Sequence, residues 1–261
     1  MWFDSHAHPT LDGLGAEVAA MQEAGVNGFV AVGTSVTSSR EVVDLVTSMK
    51  AGDSALTVRA TVGIHPHDAD AATDEDLAAL DTLIEQNPSV VVGVGECGLD
   101  LFYEYSRPAV QEEVFRRQIA LAKRFDRTLV VHTRDAWDAT FRIFEDEGVP
   151  RRVIMHCFVG GPAEAERALG IGAYLSFSGI ATFKNADDVR QAFLLTPLER
   201  ILVETDAPYL APVPLRGRPN RIANVAITGS FLAHLRGVEP QEFARRTWQN
   251  AIEVFQIHSK D

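Results

Sequence analysis

Eight short apolar runs, each followed by a stretch of residues with helical periodicity, constrain the fold of this chain most strongly. The runs start 20 to 38 residues apart, a spacing that accommodates one β-strand and its connecting helix. They cover residues 2–3, 28–32, 56–62, 90–94, 128–131, 153–155, 173–177 and 201–203. Short runs rich in β-branched residues are typical of parallel strands that are covered on both faces. The pattern therefore predicts an α/β protein.

The segments between these runs predict amphipathic helices. Residues 108–125 and 135–147, for example, carry apolar side chains at helical spacing. No linker, low-complexity tract or repeat divides the 261 residues, and one α/β barrel commonly has about 250 residues. We therefore expect a single domain over residues 1–261, folded as a (β/α)8 TIM barrel. A doubly wound open sheet is the alternative.

The charge of the chain is negative and unevenly distributed. The formal net charge is −12; residues 1–126 carry 8 basic and 20 acidic side chains, and residues 127–261 carry 16 of each. Non-specific coating of nucleic acid depends on Lys and Arg, so this balance argues against it but allows a local phosphate site. No apolar run approaches the roughly 18 residues of a membrane span. With only two cysteines and nothing at Met1 that resembles a secretory signal, we expect a reduced, cytoplasmic protein without membrane contacts.

Most histidines of the chain directly follow a predicted strand, and two carboxylates do the same. These residues are His6, His8, His65, His67, His132, His156, Glu96 and Asp206. In a barrel the carboxyl ends of all strands open onto one face, so these side chains should converge there. We interpret these side chains as a metal site rather than as a set of unrelated polar residues. One four-coordinate ion cannot use six ligands, so we expect two adjacent ions bridged by one carboxylate. The six candidate ligands are His6, His8, His132, His156, Glu96 and Asp206.

The stretch GVGECG contains a G-x-G-x-x-G pattern after an apolar run, which is how a dinucleotide-binding turn begins. Such a turn needs a helix that opens within the glycines and an acidic residue at the end of the next strand. Neither is present, because residues 99–107 separate Gly98 from the next helix and the next run ends at His132. We therefore interpret Gly93 and Gly95 as residues that thin the barrel end so that the backbone and cations approach closely.

The remaining cysteines and histidines have simpler interpretations. Cys97 and Cys157 each adjoin an inward-facing candidate ligand, so they should point into the layer between strands and helices as small apolar residues. His234 and His258 lie in predicted helical surroundings away from the strand ends. We expect both to be structural or solvated.

A basic loop follows the eighth run. Residues 207–238 contain four arginines and no acidic residue. Beside a cationic centre, such a loop could hold substrate phosphate, together with Arg134 and Lys184. A solvated loop is the alternative. The predicted substrate-binding residues are His65, His67, Arg134, Arg216, Arg218 and Asn220.

The chain resembles the TatD family of metal-dependent deoxyribonucleases over nearly its whole length. The strings that carry the resemblance are, in order, DSHAH, VGIHPH, GVGECGLD, VVHTRDA, MHCF, LSFSGIATFKNA, ETDAPYLAP, RGRPN and WQNAIEVF. The resemblance implies one ion held by His6, His8, Glu96 and Asp206. It implies a second ion held by Glu96, His132 and His156.

The resemblance also implies the reaction, which is hydrolysis of phosphodiester bonds in DNA, commonly as an exonuclease. Two divalent ions, Mg²⁺, Mn²⁺ or Zn²⁺, would activate a water and polarise the phosphoryl oxygen. Glu96 and Asp206 are the predicted catalytic residues, and Asp206 accepts the proton of that water. The chain departs from the family pattern at Pro9, at Cys97 and at Arg221-Ile222, where many relatives have Glu-Pro. These departures leave the ligands intact and bear on substrate fit.

Other functions remain open at this stage. Another hydrolase of the same superfamily, cutting an amide or ester such as a D-aminoacyl-tRNA link, would use the same ions. A nicotinamide oxidoreductase would bind cofactor without metal, and a metal-storing protein would turn nothing over. The sequence leaves open the metal, DNA against RNA, strand preference, polarity of digestion and oligomeric state.

Overall fold

Eight parallel strands form one sheet in chain order in the computed structural model, which describes residues 1–51, 56–103 and 105–257. The strands are β1 Trp2–Ala7, β2 Val26–Val32, β3 Thr57–Val62, β4 Val91–Asp100, β5 Thr128–Arg134, β6 Val153–Met155, β7 Tyr174–Phe177 and β8 Ile201–Val203. Each of the eight predicted runs coincides with one of them. The α/β class and the strand count are therefore confirmed.

Helices connect the strands and cover the outside of the sheet. Those of the described residues are α1 Leu14–Ala24, α2 Val36–Ala51, α3 Asp74–Gln86, α4 Pro108–Arg124, α5 Trp137–Glu147, α6 Pro162–Gly170, α7 Asp187–Leu195, α8 Val225–Arg236 and α9 Pro240–Val254. The helix predicted from residue 108 begins there, with Pro108 at its first position. The helix predicted from residue 135 begins two residues later, because Asp135 has a φ of 52° and cannot be helical. Within these ranges, no helix has the length and apolarity that crossing a membrane requires.

The sheet curls until β8 meets β1, which makes a nearly closed (β/α)8 barrel. A parallel bridge joins Ala7 to Ala207 just beyond β8. Ser5 Oγ donates to Val203 O at 3.0 Å and lies 2.8 Å from Ser176 Oγ. The barrel prediction is confirmed, and the open-sheet alternative is wrong.

Two apolar layers hold the barrel together. One lies between the strands and the helices, and the other fills the interior with side chains such as Phe3, Val92 and Ile154. Val254 and Phe255, at the end of α9, belong to the interior layer. Alternate side chains of a strand face opposite sides of the sheet, which is how one strand serves both layers. The C-terminal helix therefore closes one end of the barrel, and the polar side chains gather at the other.

β4 extends six residues beyond the predicted run and contains Glu96, which was expected at its end. A register shift lies between Val94 and Cys97, so Glu96 occupies a bulge opposite β5. A Cβ atom added at Gly95 would lie 2.5 Å from Val130 O, and one at Gly98 would lie 2.0 Å from His132 O. The glycines thus let β4 approach its neighbouring strand. The prediction that glycines thin this end of the barrel agrees with this contact, and the approach of cations stays a prediction.

Candidate metal centre

The carboxylate of Glu96 lies at the centre of the open barrel end and is only 4% exposed. Its Oε2 lies 3.2 Å from His6 Nε2 and 3.6 Å from His8 Nε2. Its Oε1 lies 2.9 Å from both His132 Nδ1 and His156 Nε2. The two oxygens therefore face two different groups of imidazole nitrogens, as a bridging ligand must.

Asp206 joins the group on the β1 side. Its Oδ1 lies 3.4 Å from His8 Nε2 and 3.8 Å from His6 Nε2. The residue has a φ of 57°, which is uncommon outside glycine. Its backbone N–H donates to His6 O at 2.9 Å and its carbonyl accepts from Tyr209 N at 2.8 Å. These bonds hold the left-handed conformation that turns the carboxylate toward the histidines.

His65 lies closer to the candidate ligands than its predicted substrate-binding role requires. Its Nε2 is 3.3 Å from Glu96 Oε1, and together with His132 these groups place three ligand atoms within 4.8 Å of one another. Burial holds the pKa of His65 below its usual value, which favours the neutral imidazole that a metal needs. His67 instead contacts Asp100 Oδ2 at 2.9 Å.

The chemistry of the described donors fits a metal. His156 Nε2 is buried and lacks a hydrogen bond of acceptable geometry among the described residues, and an unpaired buried nitrogen is costly unless another partner binds it. A tetrahedral ion with bonds of about 2.0–2.1 Å separates its ligand atoms by about 3.3 Å. The distances from the Glu96 carboxylate to His6, His8, His132 and His156 bracket that value, at 2.9 to 3.6 Å.

The electrostatics of the cluster keep Glu96 ionised. Burial opposes ionisation, but the nearby imidazoles of His156 and His65 and the hydrogen bond from His132 prevail and hold the pKa of Glu96 well below its usual range. Burial also lowers the pKa of His6, and the neighbouring charge of His156 adds to the effect. Burial also opposes the charged form of His8, His132 and His156, but the neighbouring carboxylates outweigh it and raise the pKa of all three imidazoles. A cation that binds these nitrogens would therefore displace protons from them.

Two further carboxylates orient the histidines from behind. His156 Nδ1 donates to Glu204 Oε1 at 3.1 Å, and Cys157 N donates to the same oxygen at 2.8 Å. His132 Nε2 lies 3.2 Å from Asp100 Oδ2. Such partners fix the ring orientation and the tautomer of a ligating histidine. Sequence reasoning missed both carboxylates, although Asp100 stands in the quoted string GVGECGLD and Glu204 in ETDAPYLAP.

Arg216 and Arg218, in the basic loop after β8, are both exposed, but their surroundings differ. The Arg216 guanidinium lies 4.3 Å from the centroid of the Phe183 ring, and Arg218 and Lys184 are exposed. Within the described ranges, no carboxylate forms an ion pair with Arg216 or Arg218. Both guanidinium groups therefore remain available to a phosphate.

The side chain of Asn220 makes hydrogen bonds within the protein, and its substrate contact stays a prediction. It is 5% exposed, and its Nδ2 donates to Thr205 O at 2.9 Å. Its Oδ1 accepts from Arg221 N at 2.9 Å and Asn224 Nδ2 at 2.8 Å. The amide is thus committed to the protein, and it positions the segment before Asp206.

Arg221 is also occupied. Its Nε donates to Glu17 Oε2 at 2.9 Å and its Nη2 to Ala16 O at 2.9 Å. A pocket of about 300 Å³ opens between this pair and His8. Its other lining residues include Asp12, Pro208 and Asn220. The pocket adjoins the β1 side of the candidate metal centre.

The two cysteines differ from each other. Cys97 is fully buried in the layer between strands and helices, as predicted. Cys157 has a φ of 42°, and its Sγ lies 3.4 Å from Ser178 Oγ. The prediction that Cys157 is an apolar filler of that layer is therefore wrong, because the left-handed backbone turns its side chain toward a polar group.

The last two histidines lie outside the cluster as far as the structure describes them. His234 is exposed on α8, where its Nδ1 lies 2.6 Å from Ser230 O. The prediction for His258 falls outside the described residues.

Known proteins resemble the whole chain. A family model described as TatD related DNase matches residues 3–256. A Bacillus subtilis protein named uncharacterized metal-dependent hydrolase YabD is 34% identical over 263 residues, which cover 99% of this chain and 100% of the relative. The 3'-5' ssDNA/RNA exonuclease TatD of Citrobacter rodentium is 34% identical, covering 93% of this chain and 92% of its own. The crystal structure of the TatD homologue YJJV from Escherichia coli K12 matches with a TM-score of 0.91 and 28% identity, covering 98% of each chain.

Proposed function

The chain belongs to the TatD related DNase family, and from that membership and the geometry of the cluster we propose that it is a divalent-metal-dependent hydrolase of phosphodiester bonds. DNA is the proposed substrate, degraded from an end. The relative from Citrobacter rodentium, whose name describes a 3'-5' exonuclease of single-stranded DNA and RNA, supports this choice. Several other relatives are named metal-dependent hydrolases, which supports the same reaction class.

The observation that carries the proposal is the division of the Glu96 carboxylate between two groups of nitrogens. Oε2 lies 3.2 Å from His6 Nε2, and Oε1 lies 2.9 Å from His132 Nδ1 and from His156 Nε2. Each of the two oxygens thus has its own imidazole nitrogens nearby, which suits a carboxylate shared by two ions.

The residues would share the ions as follows. His6, His8 and Asp206 would hold one ion and His132 and His156 the other, with Glu96 between them. Two such ions supply polarisation of a phosphoryl oxygen and a lowered pKa for a shared water.

The protein's own groups would supply the remaining chemistry. Asp206 would accept the proton of the attacking water, since its carboxylate faces the open barrel end at 3.4 Å from His8 Nε2. Glu204 and Asp100 would keep His156 and His132 in the orientation that the reaction needs.

The surroundings of the cluster suit a nucleotide substrate. The pocket of about 300 Å³ beside His8 lies at the lower end of the size range for small-molecule sites. Arg216 and Arg218, on the loop after β8, would contact backbone phosphates. His67, half-buried at the cluster's edge, would face the substrate as well.

Metal analysis of the purified protein, combined with digestion of 5'- and 3'-labelled single- and double-stranded DNA, tests the proposal. We expect about two bound divalent ions per chain and shortening of the DNA from one end in their presence. Turnover of an amide or a D-aminoacyl-tRNA ester, with no cleavage of any oligonucleotide, would assign the site to another hydrolase class. Undiminished DNA cleavage after complete metal removal would refute the mechanism.

A further inference from the structure

Four large aromatic side chains are more than one third exposed among the described residues. They are Phe102, Tyr103, Tyr105 and Tyr209, with exposed fractions of 53%, 39%, 66% and 61%. The first three follow β4 and the last follows β8, so all four lie on loops at the barrel end that holds the metal cluster. Exposed apolar groups gathered beside a catalytic centre indicate a ligand surface.

Three of these rings and the guanidinium of Arg134 pack together, and we call this group the stack. The rings of Tyr103 and Tyr105 are nearly parallel, with centroids 5.3 Å apart and planes 13° apart. Arg134 lies 4.6 Å from the centroid of Tyr103 and 4.0 Å from that of Phe102. The Phe102 ring lies perpendicular to the Tyr103 ring, with planes 89° apart and centroids 4.8 Å apart. The stack thus has the composition of a stacking platform, with aromatic faces backed by a cation.

The fold holds this stack in place before any ligand binds. The backbone N–H groups of Phe102 and Tyr103 each donate to Asp100 Oδ1 at 3.0 Å. At the other end of the loop, Ser106 Oγ donates to His67 O at 2.7 Å. Pre-organisation of this kind lowers the entropy cost of binding.

A short series of contacts links the stack to the metal cluster. The Tyr105 ring meets the His67 ring edge-on at 4.8 Å, and His67 Nε2 lies 2.9 Å from Asp100 Oδ2. The same oxygen is 3.2 Å from His132 Nε2, whose Nδ1 lies 2.9 Å from Glu96. Only His67 and Asp100 therefore separate Tyr105 from the candidate ligand His132 along this series.

The charge of the region decides which part of a nucleic acid the stack would recognise. Residues 1–126, which include the loop after β4, carry 8 basic and 20 acidic side chains, so attraction for phosphates is weak there. Stacking of a base on an aromatic ring needs no positive charge and tolerates any base. Bases in a duplex already stack on each other, so only unpaired bases are free to use such a platform.

We propose that Tyr103, Tyr105, Phe102 and Arg134 form a stacking subsite for an unpaired nucleobase of single-stranded nucleic acid, adjoining the metal cluster. The inference rests on the proposed nuclease function and deepens it. It assigns to base stacking a share of the affinity for an unpaired strand, in a region where the excess of acidic side chains makes attraction for phosphates weak.

Binding of two oligonucleotides of equal length and charge tests the subsite. One is a fluorescein-labelled deoxythymidine twelve-mer, and the other has abasic residues in its place. Anisotropy is measured with Mn²⁺ in an Asp206→Asn background, so that turnover does not consume the probe. We expect the base-bearing probe to bind about five- to a hundredfold more tightly. Tyr105→Ala should abolish the difference, and the matched control Tyr105→Phe, which keeps the ring, should retain it.

Cleavage by the otherwise unchanged protein separates this inference from the function on which it rests. If both oligonucleotides are degraded equally and Tyr105→Ala changes neither KM, the nuclease stands and the subsite is refuted. If neither is degraded but base-dependent binding disappears in Tyr105→Ala, the subsite stands and the phosphodiesterase proposal fails. Because Tyr105 also contacts His67, an equal fall of kcat/KM on both oligonucleotides in Tyr105→Ala would assign the effect to displacement of His67 and overturn the subsite. A changed oligomeric state with unchanged binding would assign the rings to a protein contact and overturn the subsite.

Discussion

Glu96→Gln is the substitution that tests the central carboxylate most directly. Glutamine keeps the size of the side chain but offers one oxygen and one NH2 group. The NH2 group is a hydrogen-bond donor and does not bind a cation. In the present structure Oε2 faces His6 and His8, and Oε1 faces His132 and His156. Whichever way the amide turns, one of the two groups loses its carboxylate oxygen.

The loss of charge affects both groups. Two unit charges 4 Å apart interact by about 4 kcal/mol at the effective dielectric constant of a protein surface, and two divalent ions repel about four times as strongly. The Glu96 carboxylate between them offsets part of this repulsion, and a neutral amide does not. We therefore expect one ion to be lost and kcat to fall by at least about a hundredfold, which corresponds to about 2.7 kcal/mol of barrier.

The assay measures metal content by elemental analysis and kcat on labelled single-stranded DNA, for Glu96→Gln beside the unchanged protein. Circular dichroism on both proteins controls for folding. Two bound ions with near-normal turnover in the variant would refute the bridging role. The motif GVGECG would then be explained by its glycines alone, which let β4 lie close to β5.

Four other perturbations have defined outcomes. Chelation should abolish DNA cleavage and leave the far-UV spectrum largely unchanged, since the apolar layers do not depend on the site; a loss of helical signal would contradict this. Arg216→Ala and Arg218→Ala should each raise KM and reduce the salt slope of DNA binding by at most about one unit, and unchanged slopes would return the loop to a solvated role. Asp206→Asn should lower kcat more than it raises KM, which steady-state kinetics would contradict if KM alone changed. Gly95→Ala should lower the melting temperature, because its Cβ would lie 2.5 Å from Val130 O, with less effect on the metal content than Glu96→Gln; an unchanged melting temperature would refute this.

The sequence predicted the strand order well because each strand is a separate apolar run with its own connecting helix. It predicted β4 poorly. Glycine is unfavourable inside strands, so the pattern after residue 94 reads as a turn. Contacts between strands reverse that preference, since Gly95 and Gly98 are the residues that let β4 lie against β5. Such close approach between backbones is a tertiary property that periodicity does not contain.

The histidines and carboxylates at the strand ends were enough to predict the candidate cluster from the sequence, because a barrel brings those ends together. Roles within the cluster were harder to predict. His65 and His67 are two residues apart, but His67 lies in the short helix Pro66–Ala71 and turns to Asp100, whereas His65 reaches Glu96. Asn220 stands in a loop string that suggests ligand contact, yet its side chain is buried against Thr205. Loop conformation decides these cases, and residue spacing does not encode it.

The closure of the barrel and the assembly of the cluster depend on the same residues. Asp206 N donates to His6 O at 2.9 Å across the seam between β8 and β1, and the buried Asp4 accepts from Thr205 N at 2.9 Å in the same seam. Only a few backbone contacts join these two strands, in contrast to the regular ladders between the others. An ion shared by His6 and Asp206 would therefore link β1 to the segment after β8 where the sheet is weakest. Because binding to the folded state alone raises its stability, metal binding at this position would act on the seam as well as on the substrate.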